Sequence, residues 1–450
     1  MDLQQGAIAE IRIINRVLKA HGVRAGVPEN GSRSLLTPRV HMHGVVKMDD
    51  VTVDAVLRRQ PEIADAISEH RRTEQVPVRM DSAPLTIELP SPQPSVLAHN
   101  RANLGIGAMQ MVAGRTYSLY AGAGQLNLDL HHHHHIMVAG QTGAGKSVLL
   151  QMLLLSLCLA TSPADLEIWM ADLKRDDLFA LRHLPHVAAV ADDIAGASQM
   201  IQRLAEERER RIAATSHTGR RILFVVDEQA ELRGEKAAID EQNSLLSLGR
   251  SLHINLLLAT QRPTKENLGG LNLDNITMRL VGSVADAGVA AFITKRGQTG
   301  AEFLARPGGF LAIDGPTMRR FQSYHIPGDH VGGIVDSIRR TWRDADRPQH
   351  VRITAPPQAA AAPAVDDDNL IPVLADQARA VFADYYDADA GDLRFGGLSA
   401  IITAIYGPGA NTGGSNRRTA LRVVEHLKTT TTAPGARIIQ LPRRQAAGER

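Results

Sequence analysis

The chain has 450 residues, a length that exceeds one ordinary hydrophobic core and predicts about three domains. Hydrophobic residues make up 44% of the sequence and charged residues 22%, which excludes a largely disordered chain and a collagen-like one. The formal net charge is only +2, so any binding of nucleic acid has to rely on local basic residues.

Residues 1–95 are predicted to form a small α+β domain, which ends at the stiff proline-rich break 90–94. Two amphipathic helices and three strands are predicted, over 7–20, 50–59, 39–47, 76–80 and 85–89. His41 and His43 lie two residues apart and can share one face of a strand. We expect this pair to lie at the surface.

Residues 96–345 are predicted to form an α/β domain. Continuous apolar strands that alternate with helices are typical of a mainly parallel sheet covered on both faces. The predicted strands are 136–139, 166–171, 187–190, 222–226, 254–259, 278–284 and 310–313, and the predicted helices are 147–160, 194–214 and 236–252.

Residues 346–367 are predicted to be a Pro/Ala-rich linker, because this segment has no apolar periodicity. The module that follows, 368–450, is acidic first and basic last. Its predicted helices cover 373–382, 398–405 and a segment that begins at Ser415 and carries an apolar stripe. Polar and basic residues at the start of a last helix are typical of helix-turn-helix DNA readers.

A phosphate-binding loop is predicted from Gly140-Gln141-Thr142-Gly143-Ala144-Gly145-Lys146-Ser147, which matches G-x-x-x-x-G-K-[ST] between an apolar strand and an apolar helix. The glycines allow backbone N–H groups to point at phosphate oxygens. Lys146 is expected to reach the β- and γ-phosphates, and the Ser147 hydroxyl to bind Mg²⁺. The sequence therefore predicts an ATP and Mg²⁺ site whose nucleotide contacts extend to Val148.

Two later strand ends carry polar residues suited to the same site. The strand 222–226 ends in Asp227 and Glu228; we expect Asp227 to bind Mg²⁺ and Glu228 to polarise the attacking water. The alternative for this pair is a helix N-cap. Gln261, after the next strand, can contact the γ-phosphate or the water, and the alternative there is an ordinary strand-end turn.

Compartment and metal content are constrained by a few residues. Cys158 is the one cysteine, which excludes an internal disulfide and fits a reducing compartment. The longest apolar run, 148–160, is shorter than the roughly 20 residues of a membrane span, and the N-terminus lacks a secretion signal. We therefore expect a cytoplasmic protein without direct membrane insertion.

The run His131–His135 could suggest a metal site. In an extended strand at most three of these side chains could converge on one ion, and we do not expect metal binding here.

These residues in this order resemble the FtsK/SpoIIIE family of DNA translocases. The resemblance is firm over about 130–330 and weaker over 35–90. The segments that carry it are Val138–Ser147, Trp169–Lys174, Glu207–Arg211, Val226-Asp227-Glu228, Leu258-Ala259-Thr260-Gln261-Arg262-Pro263 and Gly300-Ala301-Glu302-Phe303-Leu304.

The resemblance implies a RecA-like P-loop ATPase, usually a ring of six subunits, that pumps double-stranded DNA through its channel with ATP. The compact chain is more similar to plasmid or integrative-element transfer members of the family. A role at a septum would need a membrane-anchored partner protein. The alternatives are a conjugation-coupling or secretion-type P-loop ATPase and a nucleotide-gated DNA-binding adaptor; intact Lys146, Ser147, Asp227 and Glu228 argue against the adaptor.

The resemblance also implies roles for residues outside the P-loop. Arg279 lies where the family has an arginine and would complete a neighbouring subunit's site; the alternative is a structural salt bridge. Asp172 and Lys174 would lie near the nucleotide or the neighbouring subunit; the alternative is a surface ion pair. The family's winged-helix domain, with an Asn-Arg pair in its recognition helix, implies that Asn416, Arg417 and Arg418 bind DNA. The alternative there is a helical appendage for oligomer contacts.

Overall fold

The computed structural model describes residues 3–82, 84–99, 107–120, 122–174, 178–214, 219–348, 371–387, 392–393, 397–406, 420–424 and 426–428. The chain divides into two compact units, Met1–Ala355 and Pro356–Arg450. This division falls inside the predicted linker 346–367. The segments 1–95 and 96–345 share the first unit, so the domain boundary near residue 95 stays a prediction.

The N-terminal part of the first unit is a small antiparallel sheet with helices on it. Its four main strands have the order β2-β3-β6-β5. The elements are α1 Leu3–Ala20, β1 Ala25–Gly26, β2 Ser34–Leu36, β3 Val40–Gly44, β4 Val46–Lys47, α2 Val53–Leu57, α3 Gln60–Arg71, β5 Arg79–Ser82 and β6 Leu85–Pro90. The apolar stripe of α1 (Ile11, Ile14, Leu18) belongs to one hydrophobic cluster with Ile63 and Ile67 of α3 and with Ile87 and Leu89 of β6.

The larger part of the unit is built on a ten-stranded sheet with the order β11-β10-β12-β13-β9-β14-β15-β16-β7-β8. Its strands are β7 Gln110–Ser118, β8 Gly122–Asp129, β9 His135–Ala139, β10 Leu166–Ala171, β11 Val187–Ala191, β12 Arg221–Val226, β13 Ile254–Thr260, β14 Met278–Val281, β15 Gly309–Asp314 and β16 Thr317–Ser323. The helices are α4 Lys146–Ala160, α5 Ile194–Ala213, α6 Lys236–Leu248, α7 Ala287–Thr294 and α8 Gly328–Thr341. One hydrophobic core lies on each face of the sheet.

The sheet is mixed rather than parallel throughout. Within the part of the sheet with the order β11-β10-β12-β13-β9-β14, all neighbouring strands are parallel, as predicted. Strands β9, β12 and β13 are buried along their whole length. In the rest of the sheet, with the order β14-β15-β16-β7-β8, all neighbouring strands are antiparallel. Strands β7, β8 and β16 were not predicted, because their exposed faces carry Gln, Arg, Thr and Gly and break the apolar runs.

The expectation that His41 and His43 lie at the surface is wrong. Both histidines are buried, at 1% and 0% exposure. Their strand, β3, is covered on both faces: Val40 and Met42 pack against Tyr117, while the histidine face meets Glu10 of α1. The polar face of a strand that alternates polar and apolar residues is exposed to solvent unless another element covers it. Here α1 covers the polar face of β3 with Glu10.

The histidine run 131–135 is not one extended strand. Residues 130–132 form a turn, and the following strand, β9, begins at His135. His131 Nδ1 lies 3.2 Å from Arg221 Nη2, and His133 Nδ1 accepts a hydrogen bond from the Asp129 amide. His135 Nδ1 accepts a hydrogen bond from the Leu256 amide, and burial lowers the pKa of His135 to about 4, so its ring is neutral.

A bulge in β7 brings Gly114 against β16. A Cβ at Gly114 would lie 2.1 Å from the Gln322 carbonyl oxygen. We expect Gly114→Ala to lower the free energy of unfolding by about 1–3 kcal/mol, because the two strands would have to separate. Denaturant unfolding measures the change. The control is Gly332→Ala in α8, where a Cβ meets nothing within 4 Å and alanine favours the helix; an equal effect of both changes would contradict the expectation.

The second unit contains α9 Ile371–Tyr385, β17 Tyr386–Asp387, β18 Asp392–Leu393, α10 Gly397–Tyr406 and the helical residues 420–424 and 426–428. The predicted helices 373–382 and 398–405 lie within α9 and α10, and the predicted apolar stripe, Ala420, Val423, Val424 and Leu427, is buried. A winged helix is not confirmed, and Asn416, Arg417 and Arg418 lie outside the described residues. In the part of the chain described here, no helix is both apolar enough and long enough to span a membrane.

Candidate functional site

The P-loop joins the end of β9 to the start of α4. Gly143 and Gly145 have φ angles of 81° and 95°, a region that favours glycine. A Cβ at Gly145 would also lie 3.0 Å from the Gly308 amide nitrogen, and that amide donates a hydrogen bond to the Ala144 carbonyl at 2.7 Å. The loop conformation therefore depends on glycine both for its φ angles and for its packing.

Lys146 is the first residue of α4, and its side chain reaches the end of β12. Its side chain is buried, and Nζ donates a hydrogen bond to the Asp227 carbonyl oxygen at 2.6 Å. Ser147 follows it in the first turn of α4. This contact joins two segments that lie 81 residues apart, so the ammonium group and the two carboxylates at the end of β12 form one cluster.

The carboxylates of Asp227 and Glu228 are both buried, at 0% and 2% exposure. Asp227 Oδ1 accepts a hydrogen bond from the Leu173 amide at 3.0 Å. Glu228 accepts hydrogen bonds from Thr260 Oγ1 at 2.7 Å, from the Gln261 amide at 3.0 Å and from Lys174 Nζ at 2.9 Å. Because β12 lies between β10 and β13, residues at the carboxyl ends of both neighbouring strands converge on Glu228.

Gln261 connects the P-loop to Glu228. Its side-chain oxygen accepts a hydrogen bond from Thr142 Oγ1 at 3.0 Å, while its backbone amide donates to the Glu228 carboxylate. This position agrees with the predicted contact to the γ-phosphate or the attacking water. The role itself stays a prediction.

Two residues at Glu228 were missed or only half identified from the sequence. Lys174 pairs with Glu228 and not with Asp172, which is buried and has Arg182 Nη2 at 3.8 Å from its Oδ2. Thr260 has no role assigned from the sequence beyond its place in a motif, yet it donates a hydrogen bond of 2.7 Å to Glu228. The signal that could have identified both is their position at the carboxyl ends of parallel strands: Thr260 is the last residue of β13, and Lys174 lies three residues after β10.

Arg279 is turned into its own domain. It is 8% exposed, and its Nη2 donates a hydrogen bond to the Leu273 carbonyl oxygen at 2.7 Å. This contact supports a structural role for Arg279. The guanidinium bonds to a backbone carbonyl oxygen, whereas the sequence suggested a salt bridge. Its assignment to a neighbouring subunit's site stays a prediction.

The donor set at the P-loop suits Mg²⁺. The Ser147 hydroxyl and the Asp227 carboxylate supply oxygen ligands, which Mg²⁺ prefers, and substrate phosphates supply others in P-loop enzymes. Mg²⁺ would be held by these two side chains together with the nucleotide, and when bound it neutralises charge that develops on the phosphates.

Comparison with known proteins gives the site a context. Residues 123–268 match the model of the FtsK/SpoIIIE family. The chain is 28% identical to the DNA translocase SpoIIIE of Bacillus subtilis (strain 168) over 364 residues, which cover 73% of this chain and 45% of that protein. It is 26% identical to the DNA translocase FtsK of Sporosarcina ureae over 372 residues, which cover 74% of this chain and 47% of that protein. The alignments thus span less than half the length of these relatives.

A solved structure supports the fold. The chain is similar to EssC (ATPases 2 and 3) from Geobacillus thermodenitrificans with a TM-score of 0.50 and 20% sequence identity, covering 57% of this chain and 53% of that one. The fold is therefore a P-loop ATPase-like α/β fold with a large mixed sheet. The resemblance predicted from the motifs is confirmed: residues 123–268, which contain the P-loop, Asp227, Glu228 and Gln261, match the FtsK/SpoIIIE family model.

Proposed function

We propose that this chain hydrolyses ATP to translocate double-stranded DNA. The observation that carries the proposal is the cluster at the carboxyl ends of β9, β12 and β13, where Lys146, Asp227, Glu228 and Gln261 meet. The family of residues 123–268 and relatives named as DNA translocases support the choice of duplex DNA as the substrate.

Each side chain of the cluster has a distinct part in the proposed hydrolysis. The P-loop amides and Lys146 bind the phosphates, and Ser147 with Asp227 holds the metal ion. Glu228 accepts the proton of the attacking water, and Thr260 and the Gln261 amide hold its carboxylate in place. Gln261 contacts the P-loop through Thr142, so it can couple hydrolysis to movement of the following segment.

The proposal is tested by steady-state ATPase activity with and without linear duplex DNA, combined with displacement of a triplex-forming strand. We expect strong stimulation by duplex DNA together with displacement. Stimulation without displacement would favour a coupling or secretion-type ATPase, and DNA binding without turnover would favour a nucleotide-gated adaptor. Activity that no DNA stimulates would overturn the translocase proposal.

We further propose that the active form is a ring, usually of six subunits in this family, in which Arg279 completes the neighbouring site. Head-to-tail contacts close into rings when the rotation between subunits fits. Mixing Arg279→Ala and Lys146→Ala subunits would then restore part of the activity, because some interfaces combine two intact halves. If Arg279 only supports its own strand, Arg279→Ala lowers the thermal midpoint and no mixture recovers activity.

For the second unit we propose DNA binding by a winged-helix-like module that uses Asn416, Arg417 and Arg418. The proposal is supported by the buried residues Ala420, Val423, Val424 and Leu427, which share a hydrophobic cluster with residues of α9 and α10. Arg417→Ala and Arg418→Ala would weaken duplex binding and reduce its salt dependence, since each change removes a cation near phosphate. Unchanged affinity and salt dependence would reassign the module to protein contacts.

Lys174 is expected to position Glu228 during hydrolysis. Lys174→Met would remove the charged hydrogen bond to Glu228 while keeping a long side chain, and we expect kcat to fall about tenfold with little change in the KM for ATP. Steady-state kinetics measures both constants. The control is Lys236→Met, an exposed lysine at the start of α6. A matching loss in the control, or an unchanged kcat in Lys174→Met, would contradict this role.

A further inference from the structure

A buried cluster of two histidines and a glutamate lies in the N-terminal sheet, in a part of the unit that the proposed hydrolysis does not use. Glu10 belongs to α1, and His41 and His43 belong to β3. All three side chains are buried, at 3%, 1% and 0% exposure. Within the described residues they form the one group of three or more such side chains able to converge on a metal ion, with their ligand atoms within 4.8 Å of one another.

The local fold explains why the three side chains meet. His41 and His43 point to the same face of β3 because side chains alternate along a strand. Glu10 of α1 contacts both histidines on that face, while Arg71 of α3 donates a hydrogen bond to the other carboxylate oxygen, Glu10 Oε1. Glu10 Oε2 is therefore left facing the two imidazoles.

The cluster contains a buried nitrogen that lacks a hydrogen-bond partner among the described residues. Glu10 Oε2 lies 2.8 Å from His41 Nδ1 and 3.5 Å from His43 Nε2. His43 Nε2 has no hydrogen-bond partner in this buried position, although it points at the carboxylate. A buried polar atom without a partner costs free energy, so another ligand for this nitrogen would stabilise the cluster.

The donor set and its spacing suit Zn²⁺. Two imidazoles and one carboxylate are a known zinc ligand set, and zinc bonds of about 2.0–2.2 Å to N and O place tetrahedral ligand atoms about 3.3 Å apart. That separation falls between the 2.8 and 3.5 Å observed. Ser34 Oγ lies 2.9 Å from His43 Nδ1 and orients the ring with Nε2 toward Glu10, as outer hydrogen bonds do for zinc-binding histidines.

A carboxylate also suits a cation, because it brings the negative charge that neutral imidazoles lack. Arg71 compensates that charge in the absence of metal and leaves Oε2 as the ligand atom.

We propose that Glu10 Oε2, His41 Nδ1 and His43 Nε2 bind a Zn²⁺ ion that fastens α1 to β3. The fourth ligand is water. Zinc takes the place of the proton between His41 Nδ1 and Glu10 Oε2, and the neutral His41 ring then carries its proton on Nε2. The ion also gives His43 Nε2 a partner. Its role is structural, since the free energy of binding adds to the stability of the folded chain.

The experiment must separate this site from the histidine run. The full chain carrying His131→Ala, His132→Ala, His133→Ala and His134→Ala serves as the background, expressed in zinc-supplemented medium because a buried site is loaded during folding. After dialysis against excess Mg²⁺, elemental analysis is expected to find about one zinc per chain. Zinc should raise the thermal midpoint of refolded background protein by about 3 °C or more over an EDTA-treated sample.

Two variants assign the ion to the cluster. In the same background, Glu10→Gln and His43→Gln are each expected to lose the zinc and the increase in midpoint. The matched control is His70→Gln in α3, an exposed histidine of the same part of the fold, which should keep both. Zinc retained by both cluster variants, or a background protein that contains no zinc, overturns the proposal. The comparison of thermal midpoints with zinc and with EDTA uses the background protein alone, so it tests the proposal even if neither cluster variant folds.

Discussion

Replacing Glu228 with glutamine is expected to leave ATP binding nearly unchanged and to lower kcat by about 10²–10⁴-fold, the range that a general base contributes. Binding depends on the P-loop, Lys146 and the metal ligands, none of which this substitution alters. Hydrolysis needs a group that accepts a proton from water, and an amide does not. The substitution also keeps the size of a side chain that is only 2% exposed, so the neighbours Thr260 and Gln261 keep a partner.

The measurements are ATP affinity by equilibrium titration and turnover by phosphate release, each with duplex DNA present. Glu231→Gln is the matched control, because it removes the same charge three residues later at an exposed position. We expect this control to keep the wild-type rate. Turnover by Glu228→Gln at the wild-type rate would show that another group acts as the base.

Lys146→Ala is expected to weaken ATP binding by at least about 100-fold, because loss of a charged hydrogen bond to phosphate costs about 1.5–3 kcal/mol and the ion pair adds to it. Lys146 is buried, so no solvated cation can take its place. The substitution also leaves the Asp227 carbonyl oxygen without the bond that Lys146 Nζ donates.

Equilibrium titration with a fluorescent ATP analogue measures the affinity, and thermal unfolding shows whether the domain remains folded. Lys236→Ala removes a lysine from an exposed position and should bind ATP like the wild type. Tight ATP binding by folded Lys146→Ala would refute the assignment of Lys146 to the phosphates. Loss of binding in both variants would point to a general charge effect.

The P-loop is the clearest case of what the sequence determined by itself. Its conformation depends on residues that are adjacent in the chain: glycines that allow positive φ at 143 and 145, a preceding apolar strand and a following apolar helix. The parallel strands β9, β12 and β13 were predictable for a similar reason, because burial on both faces requires unbroken apolar runs. The stripe at Ala420 and Leu427 followed from helical periodicity alone.

The tertiary structure decided which distant residues meet. Lys174 reaches Glu228 because β10 is the neighbour of β12, and no local pattern in the sequence encodes strand order. His41 and His43 are buried because α1 and α3 place Glu10 and Arg71 over their face of β3. The hydrophobic pattern of a segment indicates how much of that segment is buried. It does not indicate which element covers a polar face, because that depends on packing between segments far apart in the chain.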